Sequence, residues 1–198
     1  MPAKRTVTVH DKIEGALRVE EALAGTGPEI VIASEVSTRD GHVLALFVIR
    51  DIVPGMSAEA TIDAIHEQGG LAVAAHPYSL AEGVGDLAAW LPFDGVEILN
   101  GSPLMEMSNA RAAARLARTS AAMIGGSDAH VVWAAGQVHT LFPGAGAADL
   151  RAALLAGETR PAVDWPGRLA ALPVHLSWLT WLTLRRGRRV PSSPLSGA

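Results

Sequence analysis

The chain has 198 residues, enough for one domain with a sizeable core and too few for two comfortable ones. Hydrophobic residues make up 49% and aromatics 5%, so Ala, Val, Leu and Ile build the core, as in helices packed on a parallel sheet. A net charge of −4 argues against a dedicated nucleic-acid binder, and the absence of cysteine excludes disulfides and thiolate metal sites.

Any metal must therefore be held by His, Asp and Glu. The first residues carry no apolar run of signal-peptide length, and no stretch reaches the roughly 20 apolar residues of a membrane span. The expectation is a cytoplasmic domain without membrane contact.

Strand-like and helix-like segments alternate. Residues 6–9 (TVTV) read as a short strand followed by His10-Asp11, and residues 13–24 as a helix with Ala16, Leu17 and Leu23 on its apolar side. Residues 30–33 and 43–49 are apolar, β-branched runs expected to be buried strands. Ser57 is placed to cap a helix over 58–68 that Gly69-Gly70 stops. Residues 71–75 (LAVAA) form a strand ending at His76-Pro77, and 95–99 (GVEIL) another ending at Asn100. A helix over 109–117, a strand over 122–125 leading into Gly126-Ser127-Asp128, and a helix over 147–155 ended by Gly157 complete the series.

Short apolar strands separated by helices predict parallel β/α units. His10, Glu35, His76, Asn100 and Asp128 each follow a strand run. In a β/α barrel those ends converge on one face, where loops build function. The expected architecture is a barrel, or a barrel-like sheet, with a polar site at its mouth.

Asp128 and His130, two apart on a Gly-containing loop, can offer oxygen and nitrogen to one ion such as Zn, Mn or Fe. Pro77 should hold His76 in extended backbone at its strand end, either as a ligand or as a core histidine bonded to a carbonyl. Glu35, directly behind an apolar strand, is costly unless paired, solvated or bound to metal, and a rim or helix-cap carboxylate is the plainer alternative.

Several strings in this order resemble a known family. VTVHDKIEGAL is similar to the TDHDT-x-EG segment of the polymerase and histidinol phosphatase (PHP) superfamily, EVSTRDGHVLALFV to its glutamate motif, and IHEQGGLAVAAHPYS to its GG-x-x-x-x-AHP strand. FDGVEILNG, GGSDAH and GQVHTLFPG, with Gly136 and Thr140, resemble its later segments. The resemblance covers about residues 6–160 and is greatest to stand-alone bacterial phosphoesterases of nucleotides and related small phosphoesters.

It implies an α/β fold, a distorted (β/α)7-type barrel, holding two or three divalent ions (Mn, Fe or Zn) at its strand ends. His10, Glu35, His76, Asp128 and His130 fall on metal-ligand positions, and bound ions would generate a hydroxide and neutralise phosphoryl charge. His42 would contact phosphate or protonate the leaving oxygen, unless it is an exposed turn histidine. Arg39 and Arg111 would contact phosphate, and Asn100 and Glu97 would support the ligands, although Glu97 facing outward is the alternative. The implied partner is a small phosphorylated substrate, a nucleotide among the candidates, with no specific nucleic-acid binding.

The family's first strand ends in a His-x-His pair that this chain lacks, and Val9 replaces an acidic residue. The first β/α unit is thus expected to be missing, and its open edge predicts a homodimer or poor solubility if these residues are the whole molecule. The alternative to phosphoester hydrolysis is a catalytically impaired relative that binds metal as an interaction or regulatory domain. The domain is expected over residues 1–160. Residues 161–198 are expected to form a helical segment and flexible basic tail, with Leu169, Leu172, Leu176, Leu179 and Leu182 spaced three or four apart. Trp178, Trp181 and the RRGRR run accompany these leucines, Pro173 interrupts them, and packing on the barrel or a partner is favoured over a membrane surface.

Overall fold

A computed structural model describes residues 5–7, 10–25, 27–167, 173, 176–177 and 180. Val9, Leu169, Leu172, Leu179, Leu182, Trp178, Trp181 and the RRGRR run lie outside the described residues.

The strands are β1 (Arg5–Val7), β2 (Ile30–Thr38), β3 (Gly41–Leu46), β4 (Leu71–Ala74), β5 (Gly95–Asn100), β6 (Ala122–Gly126), β7 (Val138–Leu141) and β8 (Arg160–Val163). The helices are α1 (Glu14–Leu23), α2 (Ala58–His66), α3 (Leu87–Trp90), α4 (Glu106–Leu116) and α5 (Ala147–Ala156). The fold is mixed α/β. One sheet runs β1-β2-β3-β4-β5-β6 in chain order, and β7-β8 form a separate antiparallel ribbon. Among the described residues β6 is not bonded to β1, so this sheet does not close.

β3 departs from the expected series of parallel β/α units. It pairs antiparallel with both β2 and β4, whereas the other neighbours in the sheet are parallel. Only Arg39 and Asp40 separate β2 from β3, and so short a connection makes a hairpin, never a parallel crossover. β2 also runs to Thr38, well past the expected end at Ala33, because its polar residues remain in register with β3: Glu35 opposite Leu44 and Ser37 opposite His42. Glu35 and His42 therefore stand within strands rather than in loops. β3 stops at Leu46, short of the expected residue 49, where Phe47 takes a φ of 58° and turns the chain away.

Alternation divides the core into two layers. Ala72 and Ala74 of β4 join Val36, Val43, Val96, Ile62, Ile65 and Leu116 on the face covered by α2 and α4. Leu71 and Val73 turn the other way, to Ala33, Leu46, Ala122, Ile124 and Leu154 of α5. Two residues along from Ala33 and Leu44 on this second face come Glu35 and His42, so the polar site caps an apolar layer.

Local signals hold where expected. Ser57 Oγ accepts from Ala60 N at 3.2 Å, and Gly157 ends α5 with a left-handed φ of 68°. The free edge of β6 is closed by side chains. Thr140 Oγ1 donates to Gly125 O (2.8 Å) and accepts from Gly125 N (3.0 Å), and Thr159 Oγ1 donates to Met123 O (2.9 Å). A Cβ on Gly125 would lie 2.9 Å from Pro161 Cβ, so glycine lets the ribbon approach.

Candidate metal centre

β1, β2, β4, β5 and β6 share one direction, so their carboxyl ends and the amino end of β3 meet at one edge of the sheet. Just past β1, His10 forms an isolated parallel bridge with Glu35. Asp11 secures it: its N–H donates to Glu35 O (2.9 Å) and its Oδ1 accepts from Ser37 N (2.7 Å), with φ at 59°.

Glu35 is the hub. Its Oε1 pairs with His42 Nδ1 at 2.8 Å and with His76 Nε2 at 3.1 Å. The His42 ring centroid lies 5.1 Å from that of His10 and 5.3 Å from that of His76, both edge-on. Burial pushes the Glu35 carboxyl up, but hydrogen bonds from His42 and His76 and the charges of His76 and His10 outweigh it and hold it far below the carboxylate range. Burial pulls His76 down, yet the Glu35 hydrogen bond and the charges of Glu97, Glu35 and Asp128 raise it to about 9.

His76 is not in the extended backbone expected before Pro77. Its φ is 28°, and its N–H donates to Glu97 Oε2 at 2.8 Å. Glu97 turns inward and is buried at the second core face, not outward. Burial pushes its carboxyl up to about 7, against hydrogen bonds from Asn100 and His76 N. The buried Asn100 donates from Nδ2 to Glu97 Oε2 (3.0 Å) and to Asp128 Oδ2 (3.4 Å). Its own backbone is gripped by Asn109 of α4, which accepts from Asn100 N and donates to Asn100 O, each at 2.9 Å. Asp128 leaves β6 with a φ of 45°, and His130 Nδ1 lies 3.0 Å from its carbonyl oxygen, with the ring exposed.

Donor atoms of His10, Glu35 and His42 lie within 4.8 Å of one another, as do those of His42, His76 and Glu82. Among the described residues Asp128 and His130 stand outside both groups, with Asp128 tied to His76 through Asn100 and Glu97. Arg39 is exposed at the hairpin tip, 4.0 Å from Asp40, and Arg111 stacks over Tyr78 at 4.7 Å. Sequence reasoning passed over Glu82, whose loop carries no motif. It also passed over the anchoring role of Asp11, although that residue adjoins His10.

The donor set fits a divalent ion. His76 is 6% exposed and its Nδ1 is buried without a hydrogen-bond partner, an expensive state that a metal ion relieves. Imidazole nitrogens and carboxylate oxygens without sulfur suit Zn, Mn and Fe.

Residues 106–159 match the PHP-associated family model. Over 95 residues the chain is 43% identical to the uncharacterized protein MJ1587 of Methanocaldococcus jannaschii, a stretch covering 48% of this chain and 56% of that relative. PsfC from Pseudomonas syringae PB-5123 superposes with a TM-score of 0.62 at 18% identity, over 89% of this chain and 84% of its own. A two-domain protein of Bacteroides vulgatus containing a predicted PHP-like metal-dependent phosphoesterase gives 0.59 at 17%, over 80% of this chain and 55% of its own. The lesion-specific endonuclease PfuEndoQ of Pyrococcus furiosus gives 0.54 at 16%, over 79% and 49%. At such identities the likeness is one of fold. Among the described residues no helix is long and apolar enough to cross a membrane.

Proposed function

We propose that the chain is a member of the PHP superfamily and that it hydrolyses a small phosphomonoester or nucleotide phosphoester with divalent ions held around Glu35. His10, Glu35, His76, Asp128 and His130 would hold Mn, Fe or Zn ions, with His42 as a further donor from the same carboxylate. Such ions supply a hydroxide nucleophile at neutral pH and neutralise charge on the transferring phosphoryl group.

The observation that carries this reading is the meeting of two histidines from separate strand regions on one oxygen of Glu35, with His10 edge-on to His42. Glu35 fixes which nitrogen of each ring faces inward. With Nδ1 on Glu35, His42 has Nε2 left to meet an ion or a phosphate oxygen. Asn100 orients Asp128. Arg111, stacked on a tyrosine two residues beyond His76, is proposed as a phosphate contact, and Arg39 as another at the hairpin tip.

A chromogenic phosphomonoester incubated with the chain and Mn tests the proposal. Turnover should stop on chelation, return with Mn, and be lost in Glu35→Ala. Turnover that survives both chelation and Glu35→Ala would refute it.

A further inference from the structure

Among the described residues six large apolar side chains are at least three-quarters exposed: Ile49, Leu80, Trp90, Leu104, Met107 and Val132. Singly such residues are ordinary, but four of them stand on the loops that leave the carboxyl ends of β4, β5 and β6. Leu80 follows β4, Leu104 and Met107 follow β5 up to the first turn of α4, and Val132 follows β6. Trp133, 72% exposed, adjoins Val132 in the short 3-10 turn Val132–Ala134. The other two lie at the opposite edge of the sheet. Ile49 N donates to Gln68 Oε1 just ahead of β4, and Trp90 ends α3 shortly before Asp94 N donates to Ala72 O at the start of β4.

The three loops are fastened to one another. Ser108 Oγ donates to Tyr78 O at 3.0 Å, joining the first turn of α4 to the loop after β4. Gly101 N donates to Gly126 O at 2.9 Å, and a Cβ on Gly101 would lie 2.8 Å from Ser127 O. Glycine thus lets the loop after β5 lie against the loop after β6. The turn bearing Trp133 is itself anchored: the buried Gln137 donates from Nε2 to Trp133 O at 2.6 Å, and Ala134 is fully buried. The indole is left in solvent on a fixed backbone, an apolar surface that loses little conformational freedom when covered.

These loops also bear His76, Asn100, Asp128 and His130, so the apolar side chains are continuous with the candidate metal centre. A concentration of wet apolar groups beside polar ones marks a surface that something covers. Five side chains are few beside the roughly 20–30 residues that each partner brings to a stable protein interface. They match a small-molecule site, where apolar walls surround a few polar groups. A sugar phosphate would bring hydroxyls that need hydrogen-bond partners, whereas an aromatic ring needs none.

We infer that this apolar rim, with Trp133 as its anchor, selects phosphoesters whose organic group is aromatic over those of sugars or glycerol. It rests on the phosphoester reading given above and names the substrate class of that site.

The test reads binding apart from turnover. Phenylphosphonate and methylphosphonate share one anionic group on carbon and resist hydrolysis, so their difference isolates the ring. Calorimetry on the Mn²⁺-loaded full chain compares them in wild type, Trp133→Ala, Trp133→Phe, Leu80→Gln and Trp90→Ala. Wild type should prefer phenylphosphonate about tenfold or more. Trp133→Ala should lose most of that preference and Leu80→Gln, on a separate loop, part of it, while Trp133→Phe and Trp90→Ala keep it. Unchanged melting temperatures verify that the variants fold. The inference is overturned if wild type binds both ligands equally or neither, or if Trp133→Ala or Leu80→Gln keeps the full preference. A wild-type dimer that dissociates in Trp133→Ala would also overturn it, with a second copy as the occupant of the rim. A Trp133-dependent preference without phosphoester turnover would sink the proposed hydrolysis and leave the aromatic site standing. Turnover with no preference for the ring would do the reverse.

Discussion

The backbone N–H of His76 donates to the buried carboxylate of Glu97 at 2.8 Å, joining the end of β4 to the middle of β5. That bond holds His76 at a φ of 28°, which a non-glycine residue adopts only when its surroundings impose it. The same oxygen accepts from Asn100, whose amide also reaches Asp128. One buried carboxylate on β5 therefore sets two candidate ligands, His76 and Asp128, from the strands on either side of it.

Replacing Glu97 by alanine leaves His76 N–H and the Asn100 amide without their acceptor. The metal-free protein should lose about 2–4 kcal/mol, as expected for buried donors stripped of partners. Zinc affinity should fall about 10–100-fold through the displaced His76 and Asp128. Urea unfolding and zinc titration measure the two effects. Affinity unchanged at reduced stability would confine Glu97 to the fold.

Stability of the metal-free chain should depend on pH in a defined direction. Glu35, held low, stabilises above its ordinary 4.5, and that contribution is lost as pH falls through its folded value. His76, raised from 6.5 to about 9, stabilises fully below 6.5 and loses this as pH rises through 9. Glu97, raised from 4.5 to about 7, binds its proton more tightly in the folded chain, so its contribution also falls as pH rises across that interval. The melting temperature of chelator-treated protein should thus drop between pH 6.5 and 9. A flat or rising profile there would contradict the pairing of His76 with Glu35.

Metal binding should show the opposite trend. An ion displaces the proton that His76 carries below about 9. Apparent zinc affinity should rise from pH 6.5 toward 9, by up to about tenfold per unit for one released proton. Calorimetry in buffers of different ionisation enthalpy counts that proton directly.

Gly41→Ala tests the seam between the hairpin and the Glu82 loop. A Cβ there meets backbone at 2.5 Å with φ at 135°, so the variant should be destabilised by about 1–3 kcal/mol. Thermal unfolding beside Gly136→Ala, where φ is 81° and a Cβ meets nothing within 4 Å, gives the cost of a left-handed backbone without a clash, and Gly41→Ala should exceed it.

The strands β4, β5 and β6 were legible because burial on both faces leaves short runs that are apolar except for Glu97 in β5. The Ser57 cap and the Gly157 stop were legible because they act locally. The reach of β2 was not. Ser34, Glu35 and Ser37 read as the end of a strand, although the Asp40-Gly41 pair that follows is itself a hairpin signal. That one misreading hid both the reversed β3 and the position of His42 within it. The His76 backbone was misjudged because a long-range acceptor, Glu97, overrides the local preference before proline. Glu82 had no local signal, since only the folded-back loop brings it to His42.

The central claim is that the cluster around Glu35 binds divalent ions and uses them on a phosphoester. The most direct measurement pairs ions per chain, counted on protein reconstituted with Mn²⁺ and freed of excess, with turnover of a chromogenic phosphoester by the same sample, in wild type and His76→Ala. Two or more ions per wild-type chain, with turnover that falls together with ion content in His76→Ala, is the predicted result. One ion or none, without turnover, would contradict it.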